Sequence, residues 1–144
     1  MMGSLKDRLT VANDTRHLLA VRDFITRMAR HGGLSDEEVH KIVVAIDEAV
    51  TNIIEHGYNK DEKGTIELEA DWEGEKFQVV IRDSARVFDP QSIPSPDMEE
   101  HIKAGRKKGL GVFLMRQIMD EVRYRYKDGV QNELTLVKFV RAKE

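Results

Sequence analysis

The sequence predicts an α+β fold: a two-layer sandwich in which a mixed, mostly antiparallel sheet carries three helices on one face. Two observations carry this prediction. Ser35-Asp36-Glu37-Glu38 is a capping box at the start of a long amphipathic segment, which indicates a helix. Two pairs of alternating segments, at 65–82 and 121–141, surround short polar turns and are typical of hairpins. A chain of 144 residues can bury one core, so a single domain over 1–144 is expected.

The first three elements follow in order. Arg8 to Ala12 is predicted as a short strand, and Asn13-Asp14-Thr15 then offers helix-capping side chains. The first helix ends at His31-Gly32-Gly33, and its core face is marked by Leu18, Leu19, Val21, Phe24, Ile25 and Met28. The second helix starts at the capping box and runs to about His56-Gly57. Its apolar stripe comprises Val39, Ile42, Val43, Ile46, Val50 and Ile53.

The remaining elements are two hairpins and a third helix. Segments 65–72 and 76–82 alternate as strands joined at Glu73-Gly74-Glu75. A third helix begins at Gly109-Leu110-Gly111, and segments 121–126 and 131–141 form the closing hairpin. Between them, residues 84–108 contain three prolines and many charges. A connection of roughly 25 residues is long for a compact domain and predicts a functional lid.

Composition excludes several classes of function. Cysteine is absent, so no disulfide framework or cysteine metal site is expected. The net charge is −3, with 23 basic and 26 acidic residues, which argues against direct nucleic-acid binding. No apolar run approaches membrane-spanning length and the first residues lack a leader pattern, so we expect a soluble, cytoplasmic protein.

The second helix carries the first candidate site. Glu48 and Asn52 are four residues apart, share one face, and lie away from the centre of the apolar stripe. An amide oxygen can bind a magnesium ion, and a carboxylate can accept a proton. The two side chains therefore suit a magnesium-nucleotide site. The alternative is a solvated polar face, which this helix alone would favour.

The second candidate is Asp83, at the end of a predicted strand. Phe77, Val79, Ile81 and Asp83 alternate onto one apolar face. A carboxylate on that face needs a hydrogen-bond donor, and the exocyclic amine of adenine is a suitable one. A turn aspartate that caps its own backbone is equally compatible with the pattern.

The third candidate is the Gly109-Leu110-Gly111 turn. Glycines at a helix start let the backbone approach a phosphate, whose charge the exposed amides and the helix dipole favour. Lys107 and Lys108 precede the turn directly. An ordinary loop-to-helix junction beside a solvated run of charges remains the alternative.

Together these residues resemble a known family. Glu48-Ala49-Val50-Thr51-Asn52 resembles the N-box of GHKL-class ATPases, and Asp83 followed by Phe88-Asp89-Pro90 resembles their adenine-binding box. The segment from Gly109 to Met115, continuing to Met119-Asp120-Glu121-Val122, resembles the glycine box of the bacterial anti-sigma-factor serine protein kinases. The three boxes, in this order and spacing, span nearly the whole chain.

The resemblance implies a role for each residue. Asn52 would hold Mg²⁺, Glu48 would be the general base, and Asp83 would accept the adenine amine of ATP. The backbone at Gly109, Leu110 and Gly111 would contact the phosphates, with Arg106 or Lys108 adding charge near the γ-phosphate. The implied enzyme is a serine/threonine protein kinase that binds a sigma factor and phosphorylates a STAS-type anti-anti-sigma protein. A homodimer is a further expectation.

One position departs from the family pattern. The adenine box normally has glycine two residues after the aspartate, and here Ala85 stands in its place. The added methyl group restricts φ near the base. This departure keeps a second function open: a non-catalytic module that sequesters a partner, with weak or structural nucleotide binding.

Overall fold

A computed structural model describes residues 5–57, 63–84, 115–127 and 131–140. The strands of this part are β1 (Leu5–Ala12), β2 (Thr65–Glu73), β3 (Lys76–Asp83), β4 (Glu121–Lys127) and β5 (Gln131–Phe139). They form one sheet in the order β1-β2-β3-β5-β4, and each neighbouring pair is antiparallel. The predicted α+β sandwich and both hairpins are confirmed, and the sheet, predicted as mixed and mostly antiparallel, is antiparallel at every described pairing. The predicted lid lies outside the described residues apart from Ser84.

The helices confirm most of the local signals in the sequence. The prediction that Leu19 lies on the core face of the first helix is wrong: it is 64% exposed, because at about 100° per residue it lies opposite Met28. Helix α1 is Leu18–Arg30, and helix α2 is Asp36–Asn52. The capping box closes as expected, because the Ser35 hydroxyl accepts a hydrogen bond from the Glu38 backbone amide at 3.2 Å. The α-helical part of the second helix is shorter than predicted, since Ile53–Gly57 forms a π-helical turn. Residues 115–118 are helical, and the predicted start of this third helix lies outside the described part.

The core lies between the two helices and one face of the sheet. Trp72 fixes α1 to β2, because its indole Nε1 donates a hydrogen bond to the Met28 carbonyl at 2.7 Å. Its ring also packs on Phe77, with 4.9 Å between the ring centroids. A Cβ atom at position 32 would overlap the Trp72 ring, so only Gly32 allows this close approach. None of the helices in the described ranges is long and apolar enough to cross a membrane.

The opposite face of the sheet carries a network of ion pairs. Arg82 contacts Glu67 at 2.8 Å and Glu133 at 2.9 Å, and these two residues are its register neighbours on β2 and β5. Glu69 is 7% exposed and accepts a hydrogen bond from Arg8 at 2.7 Å. Arg82 lies 3.7 Å from the same carboxylate. The network therefore joins β1, β2, β3 and β5 across one face.

This network makes the stability of the domain depend on pH. Burial alone would raise the pKa of Glu69, but the hydrogen bond from Arg8 and the charges of Arg82 and Lys6 outweigh it and hold the pKa below the ordinary 4.5. A carboxyl group with a lowered folded-state pKa stabilises the fold above its unfolded-state pKa. That contribution is lost as the pH falls below 4.5 through the folded-state value.

We expect Glu69→Gln to lower the free energy of unfolding at pH 7 by about 1–3 kcal/mol, because cations in a half-buried network lose their partner. The deficit should shrink as the pH falls below 4.5. Urea denaturation of the unmodified protein and of Glu69→Gln, from pH 7 to below pH 4.5, measures this difference in the free energy of unfolding. Glu73→Gln, at the exposed end of the same strand face, is the control and should have little effect. A deficit that does not change with pH would contradict the electrostatic explanation.

Candidate functional site

Helix α2 places Glu48 and Asn52 side by side. Both lie in its last two turns, four residues apart, so they share one face about 6 Å apart along the axis. Both side chains are half-buried, whereas Ala49 and Val50 between them are buried in the core. The prediction that the pair lies beside the apolar stripe rather than within it is therefore confirmed.

An ion pair holds this part of α2 against α1. Arg22 donates from Nε and Nη2 to the two carboxylate oxygens of Asp47, at 2.7 and 3.2 Å. The same hydrogen bonds raise the pKa of Arg22 above its ordinary value. Two parallel bonds restrain direction as well as distance. Because Asp47 directly precedes Glu48 in the chain, the ion pair also restrains the backbone that carries Glu48.

Asn52 is the last residue of regular α-helix. The π-helical turn Ile53–Gly57 follows it directly. π-helical turns are rare, and they occur frequently at functional sites. The change of helical type thus falls immediately after the predicted metal ligand.

Asp83 ends β3 on the sheet face that the helices cover. It is 6% exposed and alternates with Val79 and Ile81, as the sequence pattern predicted. Its Oδ1 accepts a hydrogen bond from Nδ2 of Asn132 at 3.1 Å. The carboxylate is thus bonded to a side chain on a neighbouring strand, in addition to any bond with the backbone of its own turn.

Sequence reasoning missed two residues beside Asp83. Asn132 is 4% exposed, and its Oδ1 accepts a hydrogen bond from the phenol of Tyr124. Asn132 alternates with Leu134 and Leu136 on the apolar face of β5, which is the same signal that drew attention to Asp83. A search of β5 for a polar residue in phase with its apolar face would therefore have identified Asn132.

The other predicted site residues cannot be placed. Arg106, Lys108, Gly109, Leu110 and Gly111 lie outside the described residues, and so does Ala85. The described part therefore contains the α2 pair and the buried carboxylate of β3. The predicted phosphate turn and its basic residues stay a prediction.

The described groups have complementary chemistry. The Asn52 amide oxygen is a hard donor that suits Mg²⁺, which usually takes one or two protein ligands and completes its shell with phosphates and water. The Glu48 carboxylate, one helical turn away, can accept a proton. Asp83 is a buried acceptor for an N–H group on an apolar-lined surface. Groups that can bind a metal ion, accept a proton and accept a hydrogen bond in a buried place are ones that a nucleotide-dependent transferase can use.

Comparison with known protein families identifies the domain to which the chain belongs. The family model for the histidine kinase-like ATPase domain matches residues 11–138, nearly the whole chain. The chain therefore belongs to the family of histidine kinase-like ATPase domains, and the fold and the α2 and β3 residues described above belong to that domain.

Within this family the chain is similar to serine-protein kinases. It is 28% identical to the serine-protein kinase RsbW of Listeria monocytogenes, over 99% of this chain and 94% of that protein. It is also 28% identical to the RsbW of Halalkalibacterium halodurans, over 94% of this chain and 84% of that protein. These similarities confirm the branch that the three boxes indicated.

A solved structure shows the same fold. The crystal structure of the RsbU and RsbW domains of a Mycobacterium tuberculosis protein superposes with a TM-score of 0.66 and 20% identity. The match covers 94% of this chain and 32% of that longer chain. At this identity the likeness concerns the fold alone, and the fold is that expected from the sequence.

Proposed function

We propose that this chain is an ATP-dependent anti-sigma regulatory kinase. It binds a sigma factor, and it phosphorylates a serine of a STAS-type anti-anti-sigma protein. The observation that carries the proposal is the buried Asp83 carboxylate at the end of β3, on the helix-covered face of the sheet. A carboxylate is costly to bury unless it is hydrogen-bonded, and an adenine amine supplies a further donor at such a place.

Each described residue has a defined task in this proposal. Asp83 accepts a hydrogen bond from the adenine amine and thereby orients the nucleotide. Asn52 holds Mg²⁺, which when bound neutralises charge on the β- and γ-phosphates. Glu48 accepts the proton of the substrate serine hydroxyl while the serine oxygen forms a bond to the γ-phosphorus. The bond from that phosphorus to the β-phosphate oxygen breaks, and ADP leaves.

The remaining roles rest on the sequence. We propose that the backbone at Gly109, Leu110 and Gly111 contacts the phosphates. Arg106 or Lys108 then contributes positive charge near the γ-phosphate. Phosphoryl transfer depends mainly on positioning and charge stabilisation, so few protein groups are required.

A second function is favoured by one feature of the sequence. Ala85 stands where the adenine box normally has glycine, and its methyl group restricts the backbone beside the base. If this weakens nucleotide binding, the chain acts as a module that sequesters its partner without turnover. The two functions differ in whether phosphate is transferred.

Transfer of labelled phosphate distinguishes the kinase from the sequestering module. The chain is incubated with Mg²⁺, γ-labelled ATP and each STAS-type protein encoded by the same genome. The kinase predicts label on one serine of one of these proteins, and no label when that serine is replaced by alanine. ATP binding and capture of a sigma factor without labelling of any STAS-type protein would instead support the sequestering module.

A further inference from the structure

We propose that Tyr124 and Asn132 are positioning residues that hold the Asp83 carboxylate as an acceptor, and that this arrangement makes the site select adenine over guanine. The inference rests on the proposed function, because it assumes that Asp83 meets the base of a bound nucleotide. Both residues lie outside the three sequence boxes.

The geometry begins with strand pairing. Asp83 on β3 and Asn132 on β5 are direct cross-strand partners, and Ile66 is the partner of Asp83 on its other side. Direct partners in an antiparallel pair bring their side chains within about 5 Å on the same face. The 3.1 Å bond between Asn132 Nδ2 and Asp83 Oδ1 is thus imposed by the register. With both residues nearly inaccessible to water, neither side chain can exchange this bond for solvent freely.

The direction of each hydrogen bond follows from the chemistry of the groups. A carboxylate only accepts, so Asn132 must turn its NH₂ group, not its carbonyl oxygen, toward Asp83. Its oxygen then faces the Tyr124 phenol, which donates its proton to it. Tyr124 therefore fixes the orientation of the amide, and the amide fixes that of the carboxylate. Bonds aligned in one direction also polarise one another.

A carboxylate held in this way distinguishes between purine bases. Adenine carries an amine at C6, which donates to an acceptor. Guanine carries a carbonyl oxygen at C6, which would face the Asp83 carboxylate as a second acceptor, so no hydrogen bond could form between the two oxygens. Two acceptors brought together away from water cost more than a lost contact, so a site built around an acceptor discriminates strongly.

The test measures dissociation constants for three nucleotides: ATP, GTP and purine riboside triphosphate, which lacks the C6 amine. We expect the unmodified protein to bind ATP about tenfold more tightly than the amine-free nucleotide, the usual contribution of a hydrogen bond to a charged group. Tyr124→Phe should weaken ATP binding several-fold and leave the amine-free nucleotide unchanged. The preference for ATP over the amine-free nucleotide and over GTP should fall accordingly.

A second variant and a control complete the experiment. Asn132→Leu removes the bond to Asp83 directly and should lower the ATP preference more than Tyr124→Phe does. Thr135→Val is the control, because Thr135 lies on β5 in the opposite phase to Asn132, beside Val80. It removes a hydroxyl group from the other face of the same strand and should leave all three constants unchanged.

The possible results lead to different conclusions. If both variants weakened the binding of all three nucleotides equally, these side chains would support only the fold. If the preference for ATP did not change, they would not orient Asp83. Either result overturns the inference. An unmodified protein that binds ATP and the amine-free nucleotide equally also overturns it, since Asp83 would then not contact the base. An unmodified protein that binds no nucleotide contradicts the proposed function itself.

Discussion

Replacing Glu48 by glutamine is expected to reduce phosphoryl transfer by about 10²–10⁴-fold, the usual contribution of a general base. Glutamine keeps the size of the side chain and cannot accept the serine proton. ATP affinity should stay within a few-fold, because Asp83 and Asn52 bind the nucleotide in our proposal. The experiment compares single-turnover transfer to the STAS-type substrate with ATP titration of the same protein.

The control for this variant lies on the same helix. Glu37 is an exposed residue in the first turn of α2, where it forms a surface ion pair with Lys41 at 3.2 Å. Glu37→Gln removes the same charge far from the site and should leave transfer unchanged. If Glu48→Gln transferred phosphate at the unmodified rate, Glu48 would be only a polar residue on the helix surface.

Replacing Asn52 by alanine is expected to remove the magnesium-dependent part of ATP affinity. Loss of groups that merely support a metal ligand already costs about 10–100-fold in metal affinity, so loss of the ligand should cost at least tenfold. The measurement is an ATP titration with Mg²⁺ and another with a chelator. The unmodified protein should bind more tightly with Mg²⁺, and the alanine variant should bind equally in both.

The variant Asn52→Asp distinguishes a role of Asn52 as a metal ligand from a purely structural role. Aspartate keeps an oxygen ligand at the same position, so magnesium dependence should return. Because Asn52 is followed by the π-helical turn, a purely structural role would make both variants lose stability without nucleotide. Magnesium dependence that persists in Asn52→Ala would contradict the assignment of the ligand.

Much of the fold was predictable because its signals are local. The Ser35–Glu38 capping box needs only four consecutive residues, and the structure contains both of its hydrogen bonds. Alternation within single strands predicted both hairpins and placed Asp83 on the buried face. The pair Glu48 and Asn52 follows from helical periodicity, which acts over one turn.

Other features depend on contacts between distant parts of the chain. The bond from Asn132 to Asp83 joins residues 49 positions apart and requires the register of β3 against β5, which no local pattern specifies. Gly32 was predicted only as a helix end, whereas its contact with Trp72 forbids a side chain. The π-helical turn after Asn52 has no sequence signature that periodicity detects.

Thermal unfolding with and without Mg-ATP tests whether this chain binds the nucleotide, on which every role proposed for Asp83, Asn52 and Glu48 depends. A ligand at 100 times its dissociation constant adds about 2.7 kcal/mol to the free energy of unfolding. For a domain of this size the melting temperature should rise by roughly 8–10 °C. No shift at millimolar Mg-ATP would contradict the account and leave the partner-sequestering module as the function.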